Sequence, residues 1–250
     1  MPGTANWEKA AARYAAGWLK RKDVSGVLVC GSYVSGSPSK RSDIDVCVVL
    51  KEGAGWRARG LRRAGGFQFE YFANPPRRVR KYFREEFAAG ENCTARMYAS
   101  GRVFGDKDGA LEELRAAAGA WLKKKFPRPS REFIEMAKYQ LWDQAGTLED
   151  AWESGSADLP HLYHGALALM FRLYSRFLGY GGVPRDKVLR VLRGGNGPDV
   201  FPDAGFASLY LKAAAGGNKA GMSAYRRLTR RLLAKMGGFA AAKWELKSRA

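Results

Sequence analysis

Two acidic residues one position apart, Asp43-Ile44-Asp45, open an apolar run that continues to Leu50 in this 250-residue chain. Ten residues separate Asp43 from Gly31-Ser32, which end a second apolar run, Val27-Leu28-Val29-Cys30. Side chains on a strand repeat every two residues, so Asp43 and Asp45 point to one face, ~6.6 Å apart along the chain. Buried together, two carboxylates repel and one takes up a proton unless a divalent cation neutralises them. Magnesium, a hard and oxygen-seeking ion, suits that need. Phosphoryl-transfer sites with two metals use bridging Asp side chains to clamp the attacking and leaving oxygens.

Gly31-Ser32 follows a strand and is predicted to begin a helix. Its free N–H groups, helix dipole and Ser32 hydroxyl would then meet an incoming phosphate, with Gly31 permitting close backbone approach. Gly31 to Gly36 has the outline of a P-loop, but Ser37-Pro38 stands where the Lys and Ser/Thr belong, which excludes one.

Other chemistries lack material. The two histidines, His161 and His164, form no HExxH, there is no GxSxG, and the three cysteines, Cys30, Cys47 and Cys93, include no CxxC. The chain carries 43 Lys and Arg against 24 Asp and Glu, a net charge of +19 and a pI near 10.1. Such a field attracts polyanions, nucleoside triphosphates or nucleic acid, and disfavours cationic partners. The excess is spread over both halves: 24 basic and 13 acidic residues in 1–126, 19 and 11 in 127–250. With 46% apolar residues the chain can bury a core. No apolar run approaches the ~20 residues that cross a bilayer, and Met1 to Lys9 lacks a secretory layout, which predicts a soluble, cytoplasmic protein.

The elements that must position the acidic pair are legible from periodicity. Trp7, Ala11, Tyr14, Ala15 and Trp18 recur at helical spacing between Asn6 and Lys22, with Thr4 or Asn6 as N-cap. Strands are expected at 27–30 and 44–50, and at 67–72, where aromatic residues alternate before Asn74-Pro75-Pro76. Helices follow at about 77–88, 93–99 and 108–125, the last started by an Asp, with a short strand at 102–104. Strands alternating with helices indicate an α+β layer in residues 1–126. After the linker Pro127-Arg128-Pro129, Ser130 is expected to cap a helix running to about Glu153. Leu162 to Leu178 is apolar nearly all round, as a central bundle helix would be, and Pro184 opens another helix. Residues 130–250 therefore read as an all-α bundle, with Tyr163, Met170 and Tyr174 in its core.

The Gly31-Ser32, ten-residue, Asp43-Ile44-Asp45 layout resembles the signature of the DNA polymerase β-like nucleotidyltransferase superfamily. Phe72-Ala73-Asn74-Pro75 with a basic helix, then the Gly101 to Gly109 strand and turn with its long helix, is similar to bacterial aminoglycoside-type and other small nucleotidyltransferases. The resemblance implies a small mixed sheet with helices, followed by a helical bundle, with both substrates in the cleft between them. It implies magnesium-dependent transfer of a nucleoside monophosphate, most often AMP from ATP, to a hydroxyl of a small molecule or protein, with release of pyrophosphate. Asp43 and Asp45 would be catalytic metal ligands, and Gly31 and Ser32 would hold the triphosphate. A third carboxylate on an adjacent strand is expected, and Glu70 is the candidate, either completing the metal site or deprotonating the acceptor. Gln68 shares its face. By the same analogy the first bundle helix faces the triphosphate, which makes Lys138 a nucleotide-binding candidate, with Asp143 on the acceptor side and Lys187 a weaker one.

Two alternatives stay open. One is addition of nucleotides to a nucleic-acid 3′ end, which suits the charge. The other is a non-catalytic, antitoxin-like module that binds nucleotide or RNA through basic faces such as Arg226, Arg227, Arg230, Arg231 or Lys123-Lys124-Lys125. The carboxylate set argues against the module. His161 and His164, with no Arg-then-His motif after them, read as ordinary helix histidines.

Overall fold

Apolar residues on both faces of two neighbouring segments dictate the centre of the structure. The computed structural model describes residues 6–194 and 200–247, so Thr4 lies outside the described residues. Strand β1 (Val24–Cys30) is buried throughout and β2 (Ile44–Leu50) at every position except Asp45, as strands covered on both faces must be. They pair antiparallel, with Cys30 opposite Asp45. A five-stranded sheet forms in the order β3-β4-β2-β1-β5, with β3 at Ala58–Ala64, β4 at Phe67–Asn74 and β5 at Arg102–Asp106. The β2–β4 pair is parallel and the other three are antiparallel, so the sheet is mixed.

Alternation then sorts the side chains. Val27, Val29, Ile44, Val46, Val48 and Phe69 pack with Trp7, Ala11 and Ala15 of helix α1 (Trp7–Leu19). Leu28, Cys30, Cys47 and Val49 face the other way, onto α2 (Pro76–Ala89), α3 (Cys93–Ser100) and α4 (Ala110–Leu122). Asp45 and Glu70 belong to this second face, beyond the end of its apolar layer.

The structure departs from the sequence reading in several places. Residues 31–36 form turns and no helix follows Gly31. The serines bond one another and the local backbone instead: Ser35 Oγ and Ser37 N both donate to the Ser32 carbonyl, and Ser39 N donates to Ser42 Oγ. Strand β3 was not expected, because Ala-Arg-Gly-Leu-Arg-Arg-Ala shows no apolar face. It is an edge strand, and its arginines face solvent. The signal for it was Gly65-Gly66, both at positive φ, which join it to β4 in a two-residue hairpin. Helix α4 starts at Ala110 rather than Asp108, and Asp106 supplies the acceptor for the N–H groups of Gly109, Leu111 and Glu112. Asn6 takes the N-cap position of α1 without a side-chain bond.

The chain divides into two compact units, Met1–Lys125 and Phe126–Ala250. The second contains helices α5 (Arg131–Glu153), α6 (Leu159–Phe177), α7 (Val188–Leu192), α8 (Ala204–Ala214) and α9 (Lys219–Lys235). Ser130 caps α5 by accepting from Phe133 N. After Pro184 the chain makes a single 3-10 turn, Arg185–Lys187, before α7. Helix α6 runs through the core, with Tyr163, Met170 and Tyr174 fully buried. No helix among the described residues is long and apolar enough to cross a membrane.

Candidate functional site

Register brings the acidic residues together. In the parallel β2–β4 pair Asp45 lies directly opposite Glu70, so both side chains leave the same face of the sheet. Asp43 sits immediately before β2 on that same side, two residues away. Glu70 is on an internal strand, flanked by β2 and β3, and its side chain is 19% exposed. Gln68 is exposed.

The turn that follows β1 fits around Asp45. Gly31 has φ +79, a conformation L side chains rarely adopt, and a Cβ there would lie 2.0 Å from Asp45 Oδ2. The missing side chain therefore gives the Asp45 carboxylate its place against the backbone. Tyr33 anchors the turn, its ring 5.8 Å from Trp7 and 5.9 Å from Phe67. Ser32 is half-buried beside it.

Asp45 carries the electrostatic imprint of this crowding. Burial, and then the charges of Asp43 and Glu70, push its carboxyl up to about 6, while Arg59 pulls the other way. Arg59 projects from β3 on the same face, opposite Phe72. It reaches Glu70 Oε1 with Nε at 2.7 Å and Nη2 at 2.6 Å, its guanidinium over the Phe72 ring. Both bonds land on Oε1 and leave Oε2 available. Sequence reasoning missed Arg59 because β3 was missed.

A hard divalent cation fits this donor set by its chemistry. The oxygens are carboxylate, and strand register sets Asp45 beside Glu70 with Asp43 two residues before it. Among the described residues no three such side chains stand close enough to hold an ion as arranged, because Glu70 is drawn onto Arg59.

Cys30 and Cys47 lie on the same face behind Asp45, both buried. A hydrogen bond with Cys47, then burial, drives the Cys30 thiol far above its ordinary value, so it is unreactive. Lys138 lies in the second unit on α5, 7% exposed, with its ammonium 2.6 Å from Glu135. Asp143 and Lys187 are exposed there, as are His161 and His164.

Residues 13–96 match the nucleotidyltransferase domain family. The matched segment runs from α1 through α3 and includes Gly31, Ser32, Asp43, Asp45 and Glu70. No curated protein matches the chain. Among solved structures, a nucleotidyltransferase-like protein from Exiguobacterium sibiricum 255-15 aligns at 14% identity over 92% of this chain and 75% of its own, with a TM-score of 0.47.

Proposed function

With a nucleotidyltransferase domain of the polymerase β-like superfamily at residues 13–96, we propose that the protein transfers a nucleoside monophosphate, AMP from ATP, to an acceptor hydroxyl. The observation that carries this reading is the Asp45–Glu70 pairing across β2 and β4 with Asp43 beside it, inside the matched segment.

In this reading the acceptor oxygen attacks the α-phosphorus, the bond from that phosphorus to the bridging oxygen breaks, and pyrophosphate leaves. Magnesium at Asp43, Asp45 and Glu70, when bound, would neutralise charge on the attacking and leaving oxygens. The protein's own groups do the positioning. Asp45, propped against Gly31 by the turn, presents its oxygens at a fixed place on the sheet. Glu70 either joins Asp45 as a ligand or takes the acceptor proton on Oε2, with Arg59 holding Oε1. The turn at Gly31-Ser32 offers a hydroxyl and backbone N–H groups to the triphosphate, without the helix dipole that the sequence suggested.

The test is metal-dependent binding of ATP, GTP, CTP and UTP to wild type and to the Asp43→Ala, Asp45→Ala double variant. Tight binding of one triphosphate that requires magnesium and disappears in the variant supports the reading and identifies the donor. Binding indifferent to magnesium and to the substitutions means that the basic surface is collecting polyanions, and the transferase reading fails.

A further inference from the structure

A cavity of about 440 Å³ opens in the first unit at the other end of the sheet from Asp43. Its cationic lining comes from two segments: Arg57 ahead of β3, and Arg77, Arg78, Lys81 and Arg84 along α2, with Trp56 at its edge, one ring face already under the Arg21 guanidinium at 5.0 Å. Pro75, also in the lining, follows Asn74, whose partner on β2 is Val49. Val49 is four residues beyond Asp45, or roughly 13 Å along the strand, so the cavity is separate from the carboxylates.

Several of these cations are held in place rather than left to solvent. Arg77 donates through Nη2 to the Ala54 carbonyl at 2.8 Å and also reaches the Glu52 carbonyl. Arg57 Nη1 donates to Tyr82 Oη at 2.9 Å, and the Arg78 guanidinium lies 4.4 Å above the Tyr82 ring. Arg78 Nε is buried with no hydrogen-bond partner. Acidic compensation is thin: Glu52 stands 4.0 Å from Arg77, Glu85 pairs with Lys81 at 3.4 Å, and Arg84 has no acidic partner among the described residues. Gathering five cations around one opening is unfavourable, and a bound polyanion removes that cost.

We propose that this cavity binds single-stranded nucleic acid, with backbone phosphates on the arginines and Lys81 and a base against Trp56. Guanidinium forks match phosphate oxygens, and a flat aromatic ring accepts any base. A strand, rather than a free nucleotide, is indicated because the basic surface continues past the cavity. Arg63 lies further along β3 on the same face as Arg57 and is exposed, and Arg62 adds a cation on the other face; Arg59, between them, is already engaged by Glu70. One phosphate group cannot use so many cations spread along an edge. The inference goes beyond the transferase reading and does not depend on it.

The experiment is fluorescence anisotropy of a labelled, mixed-sequence, single-stranded 12-nucleotide RNA with the full chain over a salt series. Lys81→Gln/Arg84→Gln removes two exposed cations from the cavity. Arg227→Gln/Arg230→Gln, on the exposed face of α9, removes two of equal charge elsewhere. The expected result is a tenfold or greater loss of affinity in the cavity variant alone, with the slope of log affinity against log salt shallower by about 1.4, two phosphates at ~0.7 each. Equal losses in both variants would mean generic attraction by net charge and overturn the proposal. So would an unaltered cavity variant, or displacement of the RNA by AMP at a comparable concentration. Trp56→Phe, which keeps an aromatic ring, is expected to retain binding, and Trp56→Leu to weaken it several-fold.

Discussion

Asp45 is the residue on which chemistry and stability pull apart. Its folded-state value of about 6 lies above the ordinary carboxyl value, so the folded chain holds this proton more tightly than the unfolded chain does. Without divalent metal, Asp45 therefore subtracts stability above pH 6 and ceases to do so as pH falls from 6 toward 4. Asp45→Asn removes that burden. The variant is expected to melt no lower than wild type at pH 7 in chelator while losing nucleotide transfer by at least a hundredfold. A variant that melts several degrees lower would show the carboxylate to be structural. Gly31→Ala attacks the same spot from the backbone. Positive φ costs a side chain about 1–2 kcal/mol, and the new Cβ displaces the Asp45 carboxylate. Activity should fall much further than the melting temperature.

At the scale of elements, hydrogen-bond partners decide where helices and strands end. Asp106, the last residue of β5, holds three N–H groups at the start of α4, and Asp108 accepts from Ser25 Oγ at 2.8 Å. Asp106→Ala is expected to cost about 1 kcal/mol, read as a lower urea midpoint with an unchanged slope. The β3–β4 hairpin carries Arg59 to Glu70, so its turn matters to the site. Gly66 sits at φ +83, and Gly66→Val should loosen β3 and free Glu70. Increased amide exchange over residues 58–64, with β1 and β2 unaffected, is the signature to look for.

For the whole molecule, the second unit has its own centre of charge. Asp203 is 8% exposed, accepts from Tyr174 Oη at 2.6 Å and pairs with Arg231 at 3.0 Å and Lys235 at 2.7 Å. Burial opposes its charge, but Lys235, Tyr174, the Phe206 N–H and Arg231 outweigh it and hold the carboxyl well below the ordinary range. A depressed carboxyl adds stability that is complete above its unfolded value and is lost as pH falls through the lower folded one. Asp203→Ala should destabilise by about 3 kcal/mol near pH 7, the low end for a broken buried pair because Arg231 and Lys235 reach solvent. That deficit should vanish in strong acid. Thermal melts from pH 7 to 2 check both the size and the sign.

The acidic pair, the glycine and serine ten residues before it, and the change from strands and helices to helices alone were all readable in the sequence. Each is a local pattern: a two-residue or 3.6-residue period, or a turn residue in place. Glu70 was legible as a charge inside an aromatic strand, but not its register opposite Asp45. Gly31 was legible as a turn, but the tertiary structure made its empty space the seat of the Asp45 carboxylate rather than the start of a helix. Arg59 on Glu70, β3 at the sheet edge and the cation-lined cavity between β3 and α2 had no local signature. Edge strands need no apolar alternation, and partners 11 to 25 residues apart meet only when strand pairing and helix packing close the loops between them. Residue types determined which chemistry the chain can offer; long-range pairing decided which charges stand together to perform it.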